Sequence, residues 1–278
     1  MSDRGITWLA SYPRSGNTWV RLLLAHALRG DEARVDLNAL PFGNIACSRD
    51  LVDDALGFES ADLPAKNWRA LWPAACRHIA ETHADPLFIK SHARWPDELS
   101  QSEELAQATA GVVLIVRHPA DVAVSLSHFF DLSLDRAIEI MANTAYSYNH
   151  PPGGIIESLP EWAGSWSTHL DSWLECGLRL HLVKYEDLLA NPEATLQGIL
   201  SFAQLSVPRA TLRHAVQQTT LKNLQTAESS MGFREAPTHQ RPFFRSGTVG
   251  SAQSALTSAQ LDSLTQRHGK TMLHFGYH

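Results

Sequence analysis

Ser11-Tyr12-Pro13-Arg14-Ser15-Gly16-Asn17-Thr18-Trp19 joins two runs of opposite kind, the apolar Ile6–Ala10 (ITWLA) and the amphipathic Val20–Gly30 (VRLLLAHALRG). The first, with Ser11, reads as a buried strand over Ile6–Ser11, and the second repeats its apolar residues at helical spacing. Pro13 has no N–H and ends a strand's ladder, while Gly16 permits a turn that a Cβ would oppose. The helix is expected to open at Asn17 or Thr18, so that free amides and the positive end of its dipole share one spot with the Arg14 guanidinium. That combination is an anion site, and phosphate is the usual guest. It is not a Walker A loop, because no Lys-Ser or Lys-Thr follows Gly16. Turns of this kind also occur with the arginine simply solvated, so phosphate binding needs support from elsewhere in the chain.

Three further short apolar runs, Leu87–Lys90, Val112–Arg117 and Leu180–Lys184, read as strands, and helical patterns follow the first, third and fourth of the four. A β-then-α rhythm predicts an α/β fold: one three-layer α/β/α domain over residues 1–278, with a mainly parallel central sheet. Ligands of such sheets bind at the carboxyl ends of strands. Polar residues stand there in each case: Arg14, Lys90-Ser91-His92, Arg117-His118 and Lys184-Tyr185-Glu186-Asp187. Asn67–His83 and Glu161–Cys176 have helical spacing. Segments 31–66, 149–160 and 227–250 are richer in Gly, Pro, Ser and Asn and are expected to be mobile loops.

Composition narrows the function. The 278 residues are 44% hydrophobic and 19% charged, ordinary for a folded protein. A net charge of −6 without a Lys/Arg block argues against nucleic acid or an anionic membrane as the main partner. Cys47, Cys76 and Cys176 are widely spaced without a CxxC pair, so they read as free thiols. The chain shows neither a signal-peptide pattern nor an apolar run of transmembrane length, and the expected location is cytoplasmic. With 14 histidines but no HExxH or comparable spacing, no metal is expected.

Several motifs together carry a resemblance. SYPRSGNTW resembles the YPKSGTTW loop of the sulfotransferases that use 3′-phosphoadenosine 5′-phosphosulfate (PAPS), and RHPADVAVSLSHF, starting at Arg117, resembles their RNPKDVAVSYYHF motif without insertion. FIKSHARWP is similar to their KTHLP segment, VKYEDLLANP to VYYEDMKENP, and PFFRSGTVG to FFRKGxxG. The five occur in the family's order from Tyr12 to Gly250.

The resemblance implies that Arg14, Ser15, Gly16, Asn17 and Thr18 hold the 5′-phosphosulfate and that Trp19 stacks on adenine. Arg117, Ser125, Arg245 and the Gly247 backbone would take the 3′-phosphate; Tyr185 would reach the adenine, with Thr220 near it. His92 falls on the family's catalytic base, and Lys90 on a lysine beside the reacting centre. Taken alone, Arg117 reads as a partner for a carboxylate, Ser125 as a helix-surface residue, and Trp19 and Tyr185 as packing residues. The implied reaction is transfer of a sulfuryl group to a hydroxyl of a small or medium organic acceptor, such as a natural product. A nucleotide-dependent kinase and a catalytically silent nucleotide-binding protein are the competing readings.

Three departures stand out. Arg14 replaces the family's usual lysine, Ser246 replaces the lysine of RKG, and Ser251-Ala252 replaces the Asp-Trp that commonly follows. The short dimer motif of the animal enzymes is absent, so that dimer mode is unsupported, although a homodimer of another kind stays open. For the acceptor, Phe129 and Phe130 fall in a segment that the resemblance places at the pocket, with Tyr146 and Tyr148 close behind. Trp162, Trp166 and Trp173 recur at helical spacing and read more readily as a core face than as a pocket.

Overall fold

Ile6–Ser11 forms strand β1 with all six residues buried, as an apolar run covered on both faces of a sheet should. It pairs in parallel with β2 (Leu87–Ser91), Ile6 opposite Leu87 and Ala10 opposite Ser91. This computed structural model describes residues 5–29, 36–43, 45–59, 65–83, 86–96, 102–148, 160–236, 242–250 and 252–278. Helices α1 (Asn17–Arg29), α2 (Arg49–Leu56), α3 (Ala65–Thr82) and α4 (Glu103–Ala108) precede β3 (Thr109–Val116). Next come α5 (Pro119–Phe130), α6 (Leu134–Ala142), the short strands β4 (Ser147–Tyr148) and β5 (Glu161–Trp162), α7 (Trp166–Leu174) and β6 (Leu180–Lys184). The chain closes with α8 (Tyr185–Ala190), α9 (Pro192–Phe202), α10 (Arg209–Gln218), α11 (Leu221–Met231), α12 (Ala252–Ala255) and α13 (Ser258–His274). The main sheet has the order β2-β1-β3-β6, and β4 and β5 form an antiparallel pair. All four expected strands belong to the main sheet, and the class is α/β.

The described backbone forms two compact units. One comprises Met1–Tyr12, Phe42–Leu114 and Asn143–Leu182; the other comprises Pro13–Pro41, Ile115–Ala142 and Val183–His278. In the first, Trp8 of β1 has its ring 5.5 Å from Trp72 and 6.4 Å from Trp173, and its indole N–H donates to Thr109 Oγ1 at 3.0 Å. Burying rings of this size supplies several kcal/mol each, of order 25 cal/mol per Å² of apolar surface. In the second, Leu22, Leu37, Leu224, Phe233 and Phe244 form a core against which Trp19 and Phe243 pack.

Several sequence expectations need correction. Segment 31–66 contains α2, an eight-residue helix in which only Val52 is buried. Ala227–Met231 is helix rather than loop. Parts of the expected loops, 31–35, 44, 60–64, 149–159 and 237–241, lie outside the described residues. The expected helix from Glu161 begins at Trp166, where Ser165 and Thr168 form a reciprocal capping box; Trp162 is in β5. Trp166 and Trp173 are core residues, 0% and 1% exposed. Among the described residues no helix is long and apolar enough to cross a membrane.

Candidate active site

The turn between β1 and α1 contains two left-handed residues, Arg14 at φ 70° and Gly16 at φ 106°. For Gly16 the conformation is only half the reason for glycine. A Cβ there would lie 2.7 Å from Tyr185 Cδ2, so any side chain would collide with the tyrosine ring. The amides of Trp19 and Val20 return to the Gly16 carbonyl at 3.0 and 3.2 Å and begin α1. Arg14 adopts a conformation that costs a side-chain-bearing residue roughly 1–3 kcal/mol, and three contacts offset this. Its Nε donates to Ser125 Oγ at 3.1 Å, and its guanidinium carbon sits 4.4 Å from the Phe129 ring centre and 4.3 Å from that of Phe243. Ser15 is buried, and its hydroxyl has no hydrogen-bond partner among the described residues.

Arg117, at the end of β3, reaches back to the same turn. One terminal nitrogen donates to the Arg14 carbonyl and the other to the Thr248 carbonyl, both at 3.3 Å. Its guanidinium lies 4.2 Å over the Tyr185 ring, while its buried Nε has no partner among the described residues. Burial raises the Tyr185 phenol above its usual range, and the Arg117 charge opposes the shift. Trp19 meets Tyr185 edge to face at 6.0 Å. Arg14, Gly16, Trp19, Arg117, Ser125, Tyr185 and Phe129 are therefore assembled in one place; Phe130 packs on Phe129 at 4.9 Å.

Arg245 donates to His128 Nε2 at 2.8 Å, and its guanidinium is made less basic by desolvation and then by the positive charge of Arg117. Two cations that disfavour each other are a place for an anion. Gly247 is left-handed at φ 55°, and a Cβ on it would lie 3.3 Å from Leu221 Cδ2. Thr220 has a role that its position in the motif order did not suggest: exposed, it caps α11, its hydroxyl accepting from the Asn223 amide at 3.4 Å.

Carboxylates to which the motifs assigned no role of their own hold this unit in register. Asp121, 2% exposed, accepts from the Gly250 and Ala252 amides at 3.1 and 3.2 Å and ties the late loop to α5. Glu228 accepts from the Phe243 and Phe244 amides at 2.6 and 3.1 Å. Glu186 accepts from the His118 amide at 2.9 Å and the Tyr277 hydroxyl at 2.8 Å, fixing the start of α5. Glu235 takes a bond from Thr18 Oγ1 at 3.2 Å and an ion pair from Arg21 at 2.7 Å.

The other unit carries Lys90 and His92. Lys90 stands opposite Leu9 in the sheet, and its amide donates to the Phe42 and Gly43 carbonyls at 3.3 and 3.1 Å. His92 is 6% exposed, its Nδ1 lying 2.8 Å from the Ser11 carbonyl and 3.3 Å from Ser11 Oγ. A carbonyl only accepts, so Nδ1 carries the proton and the neutral ring keeps its lone pair on Nε2. The backbone beyond is pinned: Trp173 Nε1 donates to the Ala93 carbonyl at 3.0 Å, and the Arg94 amide to the Trp162 carbonyl at 2.8 Å. The His92 amide donates to Glu161 Oε1 at 2.6 Å.

This assembly is matched by a family model described as the sulfotransferase domain, over residues 5–276. The chain belongs to the sulfotransferase family. Among curated sulfotransferases, bovine sulfotransferase 1A1 is 28% identical, the match covering 95% of this chain and 82% of the relative, and the rat enzyme is 26% identical over 95% and 83%. In fold, this sulfotransferase is similar to mouse sulfotransferase SULT7A1 complexed with PAP, with a TM-score of 0.60, 17% identity and coverage of 98% and 86%. It is likewise similar to retinol dehydratase in complex with androsterone and the inactive cofactor PAP, with a TM-score of 0.62, 15% identity and coverage of 96% and 80%. The five motifs thus sit within a family match that spans nearly the whole chain.

Proposed function

We propose that this sulfotransferase moves a sulfuryl group from PAPS to a hydroxyl of a small or medium organic acceptor, with His92 as general base. The observation that carries the donor is chemical: Arg14, Arg117 and Arg245 share a unit with two buried donors, Ser15 Oγ and Arg117 Nε, that have no partner among the described residues. Leaving such donors unsatisfied costs about 1–3 kcal/mol each, and phosphate oxygens would satisfy both. PAP in solved relatives of the same fold, and androsterone beside it in one of them, support a nucleotide donor and a small-molecule acceptor.

When bound, PAPS supplies the activated sulfuryl group. Arg14, Ser15 and the first amides of α1 hold the 5′ end, where negative charge grows on the leaving oxygen. Fixed cations and N–H groups lower such a barrier without moving. Arg14 acts through its charge, since a guanidinium stays protonated. Arg117, Ser125, Arg245 and the Gly247 backbone hold the 3′-phosphate, and Trp19 and Tyr185 flank the adenine. The Nε2 lone pair of His92 takes the proton of the acceptor hydroxyl, because Ser11 holds the Nδ1–H. Lys90 adds positive charge beside the reaction, and Phe129 and Phe130 line the acceptor side.

The test is incubation with sulfur-labelled PAPS and a library of hydroxyl acceptors, with and without EDTA, reading the label on the acceptor by mass. Label transfer is expected in both conditions. ATP-dependent phosphorylation restored by one metal after chelation would overturn the reading in favour of a kinase.

A further inference from the structure

Glu161 is 1% exposed, a costly place for a carboxylate unless its charge does something there. Its Oε1 accepts from the His92 amide at 2.6 Å, a short bond for an N–H donor and a carboxylate. The same short strand touches the same segment again two residues on, where the Arg94 amide donates to the Trp162 carbonyl at 2.8 Å. β5 is itself anchored: it pairs with β4, Ser147 Oγ donates to the Glu161 carbonyl at 3.3 Å, and the Gly164 amide donates to the Tyr146 carbonyl at 2.9 Å. Ser11 holds the His92 ring, whereas Glu161 holds the backbone from which the ring projects.

We propose that Glu161 is a positioning residue of the reaction, fixing the His92 backbone so that Nε2 is presented in one place. This rests on His92 being the base. A base displaced by a fraction of an ångström from its acceptor loses much of its effect, so a remote hydrogen bond can govern turnover without touching any ligand. The sequence offered no sign of this, since 69 residues separate the two partners.

The experiment is a double-mutant cycle on Glu161→Ala and His92→Ala, read as kcat, as KM for PAPS, and as PAP affinity by calorimetry. Glu161→Ala is expected to lower kcat by about 10–100-fold while leaving PAP affinity within about twofold. In the double variant it should cost nothing beyond His92→Ala, because a residue that acts through another has no effect once that other is gone. Additive losses would mean a structural role independent of the base and would overturn the proposal, as would a folded Glu161→Ala enzyme with near-normal kcat. His92→Ala with near-normal kcat would instead break the assignment of the base, an outcome separate from both. Should Glu161→Ala not fold, Glu161→Gln decides: it keeps the shape and an accepting oxygen but loses the charge. Its His92 amide proton resonance should move upfield and kcat should fall by about three- to tenfold, with PAP affinity unchanged. An unmoved resonance with full turnover in Glu161→Gln would overturn the proposal.

Discussion

The two units of this sulfotransferase treat their polar groups in opposite ways. Around the Pro13–Trp19 turn, cations stand close together, and Ser15 Oγ, Arg117 Nε and Trp19 Nε1 are buried donors without partners among the described residues. Around His92 the polar groups are bonded within their own unit, Nδ1 to Ser11, the amide to Glu161 and the Ala93 carbonyl to Trp173. The first arrangement is unfavourable until an anion completes it, which suits a site meant to gain binding energy. The second spends its hydrogen bonds on orientation, which suits a base that must meet a proton in one place. Binding and proton transfer should therefore fail separately.

The largest expected effect tests that separation. His92→Ala should lower kcat by roughly 10²–10⁴ while leaving PAP affinity unchanged, the usual loss for an acid–base group. Steady-state kinetics beside calorimetry checks both halves. Near-normal kcat would place the base elsewhere. Next in size, Arg117→Ala should weaken PAP by about tenfold or more and erase any preference over adenosine 5′-phosphate, since a charge-assisted contact is worth about 1.5–3 kcal/mol. Equal affinity of the wild type for both nucleotides would remove the 3′-phosphate assignment.

What the sequence revealed follows the range of the interactions involved. Strands β1 and β6 were legible to the residue because an apolar run bounded by polar residues is a local signal. Helix α2 was hidden because RDLVDDAL is short and buries little beyond Val52. Asp121, Glu161 and Glu235 were hidden for a different reason: their partners lie 129, 69 and 217 residues away, and nothing near any of them in the chain announces the bond. Arg14 was read as a cation, yet its left-handed backbone and the two rings enclosing it could not be read from an arginine in a turn.

A third test addresses the His92 unit through acid. His169 is wholly buried there, its ring edge-on to Tyr12 at 5.8 Å, and burial lowers its pKa to about 3, with the backbone at Ala163 partly opposing. The unfolded chain takes up this proton below its ordinary value near 6.5, and the folded chain refuses it until about pH 3. Stability therefore falls as pH drops across that window, by about 2 kcal/mol at pH 5 from this residue alone. Urea unfolding at pH 7.5 and pH 5 should show the loss, and His169→Leu should remove most of the difference whatever its stability at pH 7.5. An equal acid loss in the variant would assign the effect to other groups.

Arg14→Lys separates charge from shape within the proposed anion site. Lysine keeps the positive charge but lacks the Nε that bonds Ser125 and the flat guanidinium between Phe129 and Phe243. Turnover and PAP affinity should each fall by about three- to tenfold in Arg14→Lys and further in Arg14→Ala. If the two variants are equally impaired, the geometry outweighs the charge, and the leaving-group role proposed for Arg14 fails.

The smallest expected effect concerns Glu235, a carboxylate that bonds the Pro13–Trp19 turn through Thr18. Glu235 bonds Thr18 Oγ1 at 3.2 Å and pairs with Arg21 at 2.7 Å; the Arg21 side chain is 3% exposed and that of Glu235 32%. Thr18 is a proposed ligand of the 5′-phosphosulfate, so donor and Glu235 would compete for one hydroxyl, and the carboxylate's charge would oppose the donor's. Replacing Glu235 by glutamine removes the repulsion and leaves the Arg21 charge less neutralised; both changes favour an incoming phosphate. The pair is partly exposed, which limits the gain to about two- to fivefold in PAP affinity. Stability should move the other way, because a buried arginine loses its counter-charge. Calorimetry with PAP and a thermal melt of Glu235→Gln should therefore show tighter binding together with a lower Tm. A lower Tm with unchanged or weaker PAP binding would mean that Glu235 only anchors Arg21, and that Thr18 meets the donor without exchanging partners.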